Sequence, residues 1–213
     1  MRELIALRSR LTAGKQLARA CRPVTRGSRR VRSANVRRLG VFLLVRHGSV
    51  DYDAYPDRFR GHGIDLLPLT ASGAVEAEGL ASRLAERGGV DLIVASPMTR
   101  ALQTAMVLSW HLRCPVEVEL DLHEWVPDTS QQWTDGEVPR TAYEELLACG
   151  GEWPPGEQRQ WEPYSAVRRR VRAVLERYSH FTSVVVVTHS GVIEAMSGVS
   201  GIEPCGIVPY RTD

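Results

Sequence analysis

Residues 41–50 read VFLLVRHGSV, and the fold turns on how the first five are taken. The run Val41 to Val45 is apolar throughout, short, and bounded by Gly40 and Gly48. Such a run reads as a strand covered on both faces, because a strand with one wet face would alternate apolar and polar residues. It ends on Arg46 and His47, two side chains able to carry charge, and then on Gly48, which has none. A strand buried on both sides needs helices above and below it, so the rest of the chain should alternate strand with helix.

It does. From Thr70, a plausible N-cap, LTASGAVEAEGLASRLAERGG sets Ala74, Ala77, Leu80, Ala81 and Leu84 on one helical stripe and stops at Gly88 and Gly89. VDLIVAS reads as the second strand, Ser96 and Pro97 as the cap and first residue of a helix to about Arg113, and PVEVELDL as the third strand. Residues 125 to 161, rich in Trp, Pro and Gly, read as an irregular lid or insertion with a short helix near Ala142 to Ala148. In PYSAVRRRVRAVLERY the positions Val167, Val171, Val174, Leu175 and Tyr178 keep helical spacing, which leaves Arg168, Arg169, Arg170, Arg172 and Arg177 as an expected solvated face. SVVVV is the fourth strand, followed by Thr188, His189, Ser190, Gly191 and a short helix. A last strand near Gly206 to Tyr210 belongs at an edge, since Pro209 cannot donate to a central ladder. The expected fold class is α/β, with a mostly parallel sheet.

Composition sets outer bounds. At 213 residues the chain suits one domain with a sizeable core. Cys21, Cys114, Cys149 and Cys205 are widely spaced with no CxxC pair, which suggests reduced thiols rather than a zinc site or a disulfide framework. No apolar stretch approaches a membrane span, and the N-terminus lacks the apolar core of a secretory signal, so a cytoplasmic protein is expected. The net charge of +2 hides an asymmetry: residues 1–38 hold 12 basic residues and one acid, Glu3, leaving 15 basic and 24 acidic residues for 39–213. This basic leader cannot bury itself and is expected to be disordered. Its arginines and serines also suit an organelle-targeting peptide, and its charge a nucleic-acid or anionic-membrane tail. No nucleic acid or membrane partner is expected for residues 39–213, and a homodimer is left open.

In open α/β sheets ligands sit outside the carboxyl ends of the strands, so the residues just after each strand should converge. They are Arg46, His47 and Gly48 after the first strand, Ser96 and Arg100 after the second, Glu124 near the third, and His189 and Gly191 after the fourth. Guanidinium forks match phosphate oxygens, and helix starts add oriented N–H groups, so the set describes a phosphate site. Surrounding cations disfavour a protonated imidazole and keep a histidine nucleophilic. A carboxyl group can then protonate the departing alkoxide. Gly48 is expected to let backbone approach imidazole and phosphate.

LVRHG, SPMTRALQTA, LHEW and VVTHSG, in this order and joined by GHGIDLLPLTASG, closely resemble the histidine phosphatase superfamily, branch 1, the phosphoglycerate-mutase-like group; the likeness covers roughly residues 40–213. It implies a three-layer αβα sandwich with one antiparallel edge strand, no metal and no cofactor. It also implies a small phosphorylated substrate, with His47 as phosphoryl acceptor, Arg46, Arg100 and His189 as phosphate clamp beside Gly48 and Gly191, and Glu124 as acid and then base. Ser49, Val50 and Asp53 depart from what often follows the RHG tripeptide, which favours phosphomonoester hydrolysis over mutase-type transfer. A catalytically silent phospho-ligand module is the alternative of another class. Arg58 or Arg60 is a candidate for a further phosphate contact. The aromatic residues Trp125, Trp133, Trp153 and Trp161 either pack the insertion or meet the leaving group.

Overall fold

The computed structural model describes residues 41–54, 61–130, 132 and 137–212. The leader with its domain boundary, Arg58, Arg60 and Trp133 lie outside the described residues.

The strands are β1 (Val41–Arg46), β2 (Leu92–Ala95), β3 (Val116–Val118), β4 (Ser183–Thr188) and β5 (Ile207–Arg211). They form one sheet in the order β3-β2-β4-β1-β5. β1 runs parallel to β4, β4 to β2 and β2 to β3, while β5 pairs antiparallel with β1. β5 is an edge strand, as Pro209 requires; the proline stands opposite Leu43.

Side chains of successive strand residues leave on opposite faces, and because β1, β2 and β4 are apolar at every inner position, both faces need a cover. Phe42, Leu44, Val94, Val184 and Val186 pack with Val167, Val171, Val174 and Leu175 of helix α4 (Tyr164–Arg177) and with Val192 and Ile193 of α5 (Ser190–Ser197). Leu43, Val45, Ile93, Val185 and Val187 pack with Ala77, Leu80 and Leu84 of α1 (Ala71–Glu86) and with Ala101, Ala105 and Leu108 of α2 (Thr99–Leu112). The result is helix, sheet, helix. Each large side chain so buried contributes about 1.5–3 kcal/mol, which is why this alternation outweighs local propensity.

α1 begins where its cap signal stands: the Thr70 hydroxyl accepts from the Gly73 N–H at 3.0 Å. On its buried stripe Gly73 replaces the expected Ala74. Three other expectations need correction. β3 spans three residues instead of eight, because it pairs only with short β2 at the sheet edge and the chain then coils into a 3₁₀ turn at Leu120–Leu122. α2 begins at Thr99 with the extended Met98 as its flanking residue; the Ser96 hydroxyl accepts the Met98 N–H at 3.3 Å while it pairs with His189 across the sheet end. α3, within the insertion, covers Glu137–Ala148 and is longer than expected.

The register sets what the strands deliver. Arg46 lies beside Thr188 and Ala95 beside Val187, so the residues that follow β1, β2 and β4 emerge in one row. The His47 N–H donates to the Thr188 carbonyl at 3.0 Å, and the Ser96 N–H to the Val187 carbonyl at 2.9 Å, carrying the alignment one residue past the strands.

Candidate active site

His47, Ser96, Arg100, Thr104, Thr188 and His189 are polar residues buried at this row's end. The ring of His47 is oriented from both sides. Its Nδ1 lies 2.7 Å from the Gly48 carbonyl, and the Arg100 Nε–H points at its Nε2 at 3.2 Å. A carbonyl only accepts and a guanidinium only donates, so the proton sits on Nδ1 and the lone pair on Nε2. Burial first, then the Arg100 charge and more weakly that of Arg46, lower the pKa of His47 to about 3. The imidazole is therefore neutral across the physiological range.

Arg100 is held in turn. Its Nη1 donates to the Ile64 carbonyl at 2.9 Å, and Thr104, one turn on, donates to the Arg100 carbonyl at 2.8 Å while accepting the Gly48 N–H at 3.1 Å. A neighbour other than the one expected imposes Gly48: a Cβ there would stand 2.5 Å from the Gly73 carbonyl oxygen of α1. One at Gly73 would stand 2.3 Å from the Ser49 carbonyl oxygen. Ser49 is bound to the same helix, its N–H and hydroxyl donating to the Glu76 carboxylate at 2.8 and 2.7 Å. This is what Ser49 does here.

His189 packs edge-on against His47 with ring centroids 5.1 Å apart. Its Nε2 pairs with the Ser96 hydroxyl at 2.7 Å, and burial, then Arg100, push its pKa well below the ordinary value. Its Nδ1 is buried without a hydrogen-bond partner among the described residues, and so is Nε of Arg46, whose Nη1 donates to the Ile202 carbonyl at 2.6 Å. Both are buried nitrogens that call for a polar partner.

Glu124 completes the set. Its Oε1 accepts from the Trp125 N–H at 2.8 Å, which with the nearby Gly191 N–H, at the start of α5, favours the charged form. Even so, burial dominates and raises its pKa. A Cβ on Gly191 would fall 2.8 Å from Oε1, so the space beside Glu124 depends on that glycine. Arg100 and Glu124 share the wall of a cavity of about 540 Å³.

Residues 42–204 match the family model of the histidine phosphatase superfamily, branch 1. The chain belongs to that superfamily. Over 156 residues it is 26% identical to the adenosylcobalamin/alpha-ribazole phosphatase of Escherichia coli, covering 72% of this chain and 75% of the relative. A putative phosphoserine phosphatase 2 of Hydrogenobacter thermophilus is 30% identical over 159 residues, covering 72% and 74%. The fold matches that of the mycobacterial glucosyl-3-phosphoglycerate phosphatase, solved with VO3, with a TM-score of 0.60 at 22% identity, over 82% of this chain and 98% of that one. This protein is a phosphatase, and its family implies phosphorylated small-molecule substrates.

The site of this histidine phosphatase holds more than its sequence announced. Arg170 was expected on a solvated face; instead Nη1 donates to the carbonyls of Asp121 (2.5 Å) and His123 (2.9 Å), Nη2 to that of Glu124 (3.3 Å), and Nε pairs with Glu162 at 2.8 Å. One guanidinium thus fixes the backbone that presents Glu124. Thr188 fixes the same segment from β4, donating to the Leu122 carbonyl at 2.9 Å. Arg168 also leaves the solvated set, donating to the Ala195 carbonyl, whereas Arg169 and Arg172 are exposed. Periodicity reveals which face an arginine occupies but not what reaches that face. Tyr52, which lines the cavity with Arg100 and Glu124, carried no sequence signal beyond its loop. Of the tryptophans, Trp161 and Trp153 pack the insertion, with indole N–H groups bonded to Glu145 and the Trp161 carbonyl. Trp125 packs there too, its indole donating to the Glu162 carbonyl at 2.6 Å, and it lines the cavity. No helix among the described residues is long and apolar enough to cross a membrane.

Proposed function

We propose that this phosphatase hydrolyses a small phosphomonoester in the cytoplasm through a phosphohistidine on His47. The neutral ring with its lone pair on Nε2, set beside Arg100, carries this reading. Nε2 attacks phosphorus, a P–N bond forms and the ester P–O bond breaks. Positive charge that develops on the ring is stabilised at Nδ1–H by the Gly48 carbonyl. The negative charge of the phosphoryl oxygens falls to Arg100, to Arg46 Nε and to His189, whose Nδ1–H is free to donate when Ser96 donates to Nε2. Glu124, whose pKa burial raises, gives its proton to the leaving oxygen. The resulting carboxylate then takes a proton from water. The water oxygen attacks phosphorus, the P–N bond breaks, inorganic phosphate leaves and Glu124 is again protonated.

Phosphate release from a panel of sugar phosphates, phosphoglycerates, nucleotides and phosphopeptides, with His47→Ala as control, tests the reading. Interconversion of 3- and 2-phosphoglycerate without phosphate release would instead assign mutase-type transfer. Phosphate binding with no turnover on any ester would assign a silent module.

A further inference from the structure

We infer that the preferred substrate is a monophosphate ester whose alcohol part is apolar and carries no negative charge of its own. The inference rests on the phosphatase reading of the same site and extends it to the substrate class. The cavity that opens from Arg100 and Glu124 has about 540 Å³, in the range that encloses a small organic ligand. Its wall is chiefly apolar: Ile64, Leu66, Met98, Leu120, Trp125 and Val126 contribute to it. Leu66 and Leu120 stand 63% and 71% exposed, large apolar side chains at the mouth that a passing polar ligand would leave wet.

The charges on the wall point the same way. Among the described lining residues Arg100 is the one guanidinium, and it is committed to His47 and the phosphoryl group. Asp121 and Asp128 add carboxylates to the wall. His123 adds no cation, because burial and then Arg170 lower its pKa while its Nδ1 is bound to the Glu124 carbonyl. A carboxylate or second phosphate on the alcohol part would meet apolar carbon and like charge, and would lose its water without gaining a cationic partner among the described lining residues. An aryl or alkyl group loses only unfavourable hydration there. With phosphorus at His47 Nε2 and the ester oxygen toward Glu124, such a group extends along the Leu120 to Val126 wall.

The full chain is assayed on 3-phenylpropyl phosphate and 3-phosphoglycerate, both esters of primary alcohols, so leaving-group basicity differs little between them. The expected kcat/KM favours the phenylpropyl ester by at least about tenfold. Leu120→Lys, at an exposed position, should narrow that ratio at least about threefold, chiefly through KM. Equal rates, a preference for 3-phosphoglycerate, or a ratio that Leu120→Lys leaves unchanged would overturn the inference while p-nitrophenyl phosphate is still hydrolysed. Inactivity on p-nitrophenyl phosphate as well would overturn the phosphatase reading, and the inference with it.

Discussion

A histidine with both ring nitrogens engaged has little freedom, and His47 owes its tautomer to two neighbours of fixed character, a carbonyl and a guanidinium. Replacing it with Ala should lower turnover by about 10³-fold or more, since nucleophile and clamp act as a unit. Glu124 behaves differently. Glu124→Gln should slow hydrolysis of alkyl phosphates by about 10²-fold or more while affecting p-nitrophenyl phosphate far less, because only a poor leaving group needs the proton. Equal losses on both would contradict that role. The raised pKa of Glu124 fixes the sign of the pH profile: kcat/KM for an alkyl ester falls on the alkaline side as the carboxyl deprotonates, and Glu124→Gln removes that limb. Gly191→Ala should reproduce the leaving-group pattern, because its methyl group would occupy the space 2.8 Å from Oε1.

At the scale of elements, the site is made by ends: those of β1, β2 and β4, the first turns of α2 and α5, and the coil after β3. Arg170 belongs to this scale, a residue of α4 that holds the carbonyls of Asp121, His123 and Glu124. Arg170→Met keeps the length of the stem and loses the fork. It should lower kcat on alkyl phosphates about tenfold and shift the alkaline limb of the pH profile, whereas p-nitrophenyl phosphate hydrolysis should be nearly unchanged. A uniform loss with an unmoved profile would point to general damage instead. What the sequence made legible follows the same division. Strand identity, helix stripes, the Thr70 cap and the edge position of Pro209 rest on local periodicity and turn chemistry, and the convergence of His47, Arg100, Glu124 and His189 followed from strand-end topology. Contacts between distant segments left no local trace: Ser96 engaged by His189, Arg170 reaching under the Glu124 loop, and Gly48 pressed against Gly73. A helix start read from Ser96 and Pro97 falls two residues early, because Met98 keeps an extended backbone even though the Ser96 hydroxyl accepts its N–H.

For the whole molecule, burying two neutral imidazoles ties stability to acidity. The pKa of His47 falls from 6.5 to about 3 on folding and that of His189 also falls well below 6.5. The unfolded chain therefore binds more protons below pH 6.5, and stability is lost as pH drops from there toward 3. Thermal melts should show Tm declining through this window, and His47→Gln should make the decline shallower; an unchanged slope would show that His47 does not titrate as its setting requires. The proposed mechanism turns on one chemical event, transfer of a phosphoryl group to Nε2 of His47. Rapid quenching with a ³²P-labelled phosphoester tests that event directly. The account predicts label bound to the protein that survives alkali, is released by acid, maps to the peptide containing His47 and is absent from His47→Ala. Full turnover with no labelled protein at any quench time, or label on another residue, would contradict it.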